Sequence, residues 1–321
     1  MDVGIAFFLL GILAALVRTD IQFPKALYQT LILYLLLAIG LKGGVALAEH
    51  ASWEILGQSV LVISLGLLLP LIAFPVLYHI GGLARYDAAS IAAHYGSVSV
   101  GTYAVAVAVL EAQGIQYEAY LPLFVVLLEM PAIAVGIVLA RRSQQGGSGT
   151  GGALISPDSM KLLHEVFLNQ GVVLMVGGLL VGLVAGERIA AVTPLFFDLF
   201  PGVLALFLLQ MGILAANCIK DIRRLGSFML AFGVAMPLVG GLLGCLLGVA
   251  IGLSAGGAIL LAVLGASASY IAVPAAMQLA LPRANHSLSI SASLGITFPF
   301  NVLIGIPTYM VLTQTLTGQA L

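Results

Sequence analysis

Charge is scarce in this sequence. Only 8% of the 321 residues are Asp, Glu, Lys or Arg, and the formal net charge is −1. A soluble domain carries about 25% charged residues, so a soluble fold is excluded. The even balance of signs also excludes a basic surface for nucleic acid. Cysteine is nearly missing. Cys218 and Cys245 fall inside apolar segments without zinc-type spacing. They read as buried apolar side chains and not as a disulfide framework. No nucleophile or metal motif such as GxSxG or HExxH occurs, so enzymatic chemistry is not expected. No small-residue cleavage site follows the apolar start; "VRTDIQFP" stands there instead. Residues 3–17 therefore read as a first membrane helix and not as a removed signal peptide.

What the chain has is hydrophobic residues, 61% of the total, in continuous runs. Continuous runs favour helices over a β-barrel. A crossing helix needs about 20 apolar residues. Windows of that kind lie near 3–17, 24–42, 56–79, 87–113, 119–140, 162–186, 194–217, 226–253, 255–281 and 287–315. The expected fold is an all-α integral membrane protein of about ten transmembrane helices. "RRSQQGGSGTGGALISPDS", residues 141–159, reads as a flexible loop. With the N-terminus outside, ten of the twelve Lys and Arg residues fall on the inner side, leaving only Lys42 and Arg188 outside. That bias predicts both termini outside and the Gly/Ser loop in the cytoplasm. Lys42 is expected to snorkel to the outer surface. Gln210 and Asn217 are expected to join helices.

The chain resembles itself. "LLLAIGLKGG" (35–44) is similar to "FLLQMGILAA" (207–216), "SVSVGTYAVAVAV" (97–109) to "SASYIAVPAAMQL" (267–279), and "LLEMPAIAVGI" (127–137) to "GITFPFNVLIGI" (295–306). Gly40 and Gly212 are 172 residues apart, Ser99 and Ser269 170, Pro131 and Pro299 168. One order at nearly one offset indicates a duplication, with a first repeat over 1–140 and a second over 160–321. Five helices per half is odd, so the second half enters from the opposite face. Inverted repeats are a common plan of secondary transporters.

The fourth and ninth windows look broken at the midplane. "DAASIAAHYG" (87–96) is about 15 Å of helix, half a bilayer, and "SVSVG" follows. In the second half "AGGAILLAVLG" (255–265) leads to "ASASYIAVP". Gly permits unwound backbone, Ser and Thr cap a new helix start, and Pro274 suits a helix N-terminus. Each break creates a helix start whose free N–H groups and dipole suit an anion. No Lys or Arg lies near either break. Freed carbonyls and Ser hydroxyls would suit Na⁺. The plainer alternative is that these small residues only allow close packing.

Glu129 is the only acid deep inside a window. Such a residue marks a functional site by default, as a Na⁺ ligand or a proton-coupled group. Its repeat mate is Thr297, with Asn301 just beyond. His94 ends the first half-helix and reads as a structural histidine before a ligand. Tyr95, Tyr103 and Tyr270 flank the breaks, lining a cavity or merely packing. In "SLSISAS", Ser289 and Ser293 share one helix face, Ser287 and Ser291 another.

The stretches "IGLKGG", "SVSVGTYAVAVAVLEAQGIQYEAY", "LLEMPAI" and "ANHSLSISASLGITFP" resemble the SbtA-type sodium-dependent bicarbonate transporters of cyanobacteria. The resemblance covers most of the chain and implies a homotrimer in a bacterial plasma membrane. It also implies a core of helices 3–5 and 8–10 that moves elevator-like against a gate of helices 1–2 and 6–7, carrying bicarbonate with Na⁺. By position, it places the anion site at Ser97, Ser99, Gly101 and Thr102 in the first half. In the second half the site falls at Ser267 and Ser269, beside Tyr270. The cation set is Glu129, Ser99, Thr297 and Asn301. The family carries an aspartate where Tyr270 stands here, which implies weaker, different or absent Na⁺ coupling. The short mid-chain loop bears on whether a PII-like regulatory partner binds. A sodium–organic anion symporter of the bile-acid type and a small-anion channel are the alternatives.

Overall fold

The computed structural model describes residues 3–19, 21, 23–50, 52–141 and 170–318. Every regular element among them is helical. In chain order these are α1 (Val3–Leu16), α2 (Lys25–His50), α3 (Trp53–Ile80), α4 (Arg85–Gly96), α5 (Val100–Ala112) and α6 (Leu121–Arg141). After residue 169 come α7 (Gln170–Ala185), α8 (Pro194–Cys218), α9 (Gly226–Ala250), α10 (Ala255–Ala266), α11 (Ala272–Ala280) and α12 (His286–Thr317). Among the described residues, seven segments are long and apolar enough to cross a membrane; α1, α7 and α10 are shorter apolar helices. Beyond Arg141, the Gly/Ser-rich stretch lies outside the described residues, as does the start of the sixth window.

Side-chain caps set several helix starts, each satisfying an N–H left over by the helix geometry. Ser52 Oγ accepts from Ile55 N (3.3 Å), Ser254 Oγ from Gly257 N (3.1 Å) and Asn285 Oδ1 from Leu288 N (3.2 Å). Backbone hydrogen bonding continues between α8 and α9, but Gly226 turns the chain there at φ 77° and ψ 163°. That conformation favours glycine. α12 is loosened by two π turns, Ser293–Thr297 and Asn301–Gly305, on either side of Pro299. Proline cannot donate to the ladder, and π turns are a common local answer.

Small residues let helices meet backbone to backbone. α2 runs along α7, and a Cβ at Gly40 or Gly44 would strike the Met175 or Leu179 carbonyl. α1 runs along α8 in the same way, with Gly11 against Leu209 and Gly212 against Phe8. α9 meets α10 through Gly240, Gly244 and Gly265. Without a hydrophobic drive between helices in lipid, such close packing carries the association. Two polar latches tie distant parts of the chain. Glu118, after α5, accepts from Ser254 N (2.5 Å) and Ser254 Oγ (3.1 Å) at the start of α10. Asp87, at the start of α4, accepts from Asn285 N (2.7 Å) at the start of α12.

The pair α4 and α5 is nearly enclosed: 94% of its apolar window is buried, against 44% for α3. Irregular backbone at membrane depth is tolerated only in such a shielded place. No disulfide joins Cys218 and Cys245, as the sequence led us to expect.

Gly244→Leu should cost about 1–3 kcal/mol through overpacking against the Leu261 backbone. Thermal unfolding in detergent should show a lower midpoint. Gly57→Leu, which meets open space, should leave it unchanged.

Candidate functional site

Both breaks are real. α4 ends at Gly96, and Ser97 is extended at φ −94°, ψ 175°. Ser99, also extended, opens α5, its Oγ accepting from Thr102 N (3.1 Å) and Thr102 Oγ1 (2.9 Å). α10 ends at Ala266, and Ser267 is extended at φ −81°, ψ 163°. Ser269 Oγ accepts from Val273 N (3.4 Å) in the first turn of α11. Pro274 sits in that same first turn, where a missing N–H costs little.

The two breaks lean on each other. Ser99 N donates to Ser267 Oγ at 2.9 Å. Ser269 N donates to His94 O at 2.8 Å. His94 Nδ1 lies 2.6 Å from Ser269 O. A carbonyl only accepts, so Nδ1 carries the proton and Nε2 is left as a bare acceptor. His94 is therefore a tie between the breaks. That extends the structural reading of this residue and gives it a partner that its position in the sequence did not reveal.

α12 supports the crossing from the side. Asn301 Nδ2 donates to Ala266 O (2.8 Å), and Asn301 Oδ1 accepts from Tyr309 (3.0 Å). Thr297 Oγ1 donates to Gly233 O (2.8 Å) and sits 2.7 Å from Tyr95 Oη. Ser289 and Ser293, the pair sharing a face, look toward Ser90 (3.2 Å) and His94 Nδ1 (3.5 Å). Ser291 is buried and Ser287 exposed.

Several buried polar atoms have no hydrogen-bond partner among the described residues: Ser97 Oγ, Tyr270 Oη, His94 Nε2 and Glu129 Oε2. The amides of Val100 and Gly101, in the first turn of α5, also make no bond there. The Tyr270 hydroxyl and the Phe207 ring lie where a Cβ at Gly101 would go. Ser99 is near enough to interact with that hydroxyl without making a hydrogen bond of ordinary geometry. The Tyr270 ring stands edge-on to Phe298 at 5.4 Å, and Phe207 stacks on Tyr28 at 6.2 Å. The Tyr270 hydroxyl and the Phe207 ring thus stand over Gly101 at a helix start whose first amides make no bond. The chemistry suits a compact oxyanion, held by dipoles with no cationic side chain.

Seven of the expected residues gather here: Ser97, Ser99, Gly101, Thr102, Ser267, Ser269 and Tyr270. Thr297 and Asn301 stand beside the crossing with their donors committed. Glu129 is buried on α6, 2% exposed, and makes no hydrogen bond to Ser99, Thr297 or Asn301. Phe207 was not singled out by the sequence; it lies in "FLLQMGILAA", where nothing distinguishes it from a packing residue.

Three expectations are corrected. Lys42 does not run out to the surface. It is half-buried, with its ammonium 4.5 Å from the Phe200 ring centre and 5.7 Å from that of Phe197. Among the described residues, neither Gln210 nor Asn217 is seen to join helices by a side-chain hydrogen bond. Gln210 Oε1 has no partner among the described residues, and Asn217 is exposed.

A family model, that of the Na⁺-dependent bicarbonate transporter superfamily, matches residues 4–314. The chain belongs to this superfamily. No curated protein matches it. A multi-pass membrane transporter with bicarbonate and Na⁺ as the family's ions agrees with the apolar helices.

Ser267→Ala removes the acceptor of the buried Ser99 amide. It should cost about 1–3 kcal/mol, read as a lower thermal midpoint. Ser287→Ala, exposed in the first turn of α12, should stay within about 0.5 kcal/mol.

Proposed function

We propose that this superfamily member takes up bicarbonate together with Na⁺. The observation that carries the reading is the first turn of α5, where the Val100 and Gly101 amides make no bond among the described residues and the unpartnered Tyr270 hydroxyl lies where a Cβ at Gly101 would go. The anion's oxygens accept from these amides and from the hydroxyls of Ser97, Ser99, Ser269 and Tyr270, while Thr102 and Ser267, whose hydroxyls donate to Ser99 Oγ (2.9 Å) and Leu264 O (2.8 Å), shape the site. The Tyr270 and Phe207 side chains close on Gly101, which favours a small anion over the apolar body of a bile-acid-type substrate. Glu129 supplies the negative charge of the Na⁺ site, with oxygens of Ser99, Thr297 and Asn301. Thr297 Oγ1 and Asn301 Oδ1 each keep an unused lone pair after their observed bonds.

Ten membrane passes in two inverted halves are the architecture we infer. What supports it is a swap of partners. Gly40 on α2 packs against α7, while its mate Gly212 on α8 packs against α1. That exchange is what a two-fold relation between helix pairs 2–6 and 7–1 requires. The Glu118 and Asp87 latches trade halves in the same sense. In this reading α4 and α5 together make the fourth pass, and α10 and α11 the ninth.

The elevator motion divides the chain into a gate of α1, α2, α7 and α8 and a core of the remaining helices. The hydrogen-bonded face between α4 and α12 supports a core that moves as one body. The trimer, the plasma membrane and the outside termini belong to the same reading.

Labelled bicarbonate should enter proteoliposomes carrying the protein, and an inward Na⁺ gradient should raise the rate. No uptake beside a working control would contradict the substrate. Glu129→Gln should raise the Na⁺ concentration for half-maximal uptake by about tenfold, the equivalent of ~1.4 kcal/mol. Tyr270→Asp, which adds a carboxylate beside Ser99, should lower it. Unchanged Na⁺ dependence in both variants would remove these residues from the coupling site.

A further inference from the structure

A cavity of about 490 Å³ lies between α2, the start of α8, α5 and the segment after α5. Tyr103 forms part of its wall, one residue beyond Thr102 of the crossing. The cavity runs from the first turn of α5 toward the end of that helix. Along α5, Glu111 is eight residues beyond Tyr103, about 12 Å of helix. Along α2, Glu49 is seven residues beyond Lys42, about 10 Å. Both carboxylates are exposed and stand at the rim, while Lys42 sits half-buried between rim and crossing.

We propose that Lys42 is a recruiting station for the small anion on the outer half of its path, drawing the ion from the rim toward the first turn of α5. This rests on the reading of the chain as an anion carrier. The ammonium is held by the faces of Phe197 and Phe200. Ring faces fix a cation without consuming its N–H donors. Among the described residues no ion pair joins Lys42 to Glu111 or Glu49, although Glu111 is close enough to act on it. Glu111 instead accepts from Tyr117 Oη at 2.8 Å. Burial, with that carboxylate beside it, pushes the Tyr117 phenol up, so Tyr117 stays a donor. Attraction between charges grows as water is excluded. The rim carboxylates face open water, where salt screens them over about 8 Å. An anion past the rim is then governed by Lys42. At the crossing beyond it, dipoles take over from charge, so the ion is not trapped by a fixed cation.

The test places a reporter cysteine by Val45→Cys, on the cavity wall, in full-length protein carrying Cys218→Ala. The rates of its modification by a sulfonate-bearing and by a trimethylammonium-bearing methanethiosulfonate are compared. Lys42→Gln should lower the anionic-to-cationic ratio by about threefold or more, and Lys42→Arg should keep it. Glu111→Gln should raise the ratio, so the comparison stands if Lys42→Gln gives no folded protein. In uptake, Lys42→Gln should raise KM for bicarbonate by a similar factor with kcat unchanged. An unmoved ratio in the charge variants overturns the proposal, whether or not bicarbonate is carried. A Lys42-dependent ratio without any uptake by the unaltered protein would instead remove only the transport reading.

Discussion

A backbone that unwinds inside an apolar interior must find partners for its N–H and C=O groups, at a cost of several kcal/mol for each one left bare. This protein meets that demand by crossing two unwound segments. Ser267 accepts the Ser99 amide, His94 accepts and returns bonds to Ser269, and Asn301 takes the Ala266 carbonyl. Neither break could stand alone. The enclosing helices, the latches at Asp87 and Glu118 and the glycine contacts between α9 and α10 surround this crossing.

The groups that stay unpaired are as informative as the bonds. Around the crossing the bonds are nearly complete, yet the Val100 and Gly101 amides and the Ser97 and Tyr270 hydroxyls remain free. In the proposed reading these are the groups left for a ligand. Dipoles hold an anion more loosely than a buried lysine would. A transporter needs that, because it must release what it binds. Lys42 sits half-buried in the neighbouring cavity, and Glu129 is buried in α6 without a bond to the crossing.

Much of this was legible in the sequence. The expected half-helix 87–96 is α4, Arg85–Gly96, and the expected 255–265 is α10, Ala255–Ala266. Gly, Ser and Pro interrupt the apolar runs, so local chemistry revealed the breaks, and Ser99 caps as its type and place suggested. What was not legible is which side chain lies opposite which. Helical spacing tells the face of Ser289 and Ser293 but not that the face meets Ser90 and His94, about 200 residues away in the chain. Lys42 was misread because length alone allowed it to reach the surface. Only the rings of Phe197 and Phe200, far along the chain, decide that it stops short. Tyr270 shows the same limit. Its hydroxyl gains meaning only beside Gly101.

The central claim is that the crossing of the two breaks holds the anion. A density map of the purified protein in bicarbonate and Na⁺ tests it most directly. The account predicts a flat density against the Val100 and Gly101 amides, within hydrogen-bond reach of Ser97 and the Tyr270 hydroxyl. Anion density elsewhere, with the crossing unchanged and empty, would contradict it.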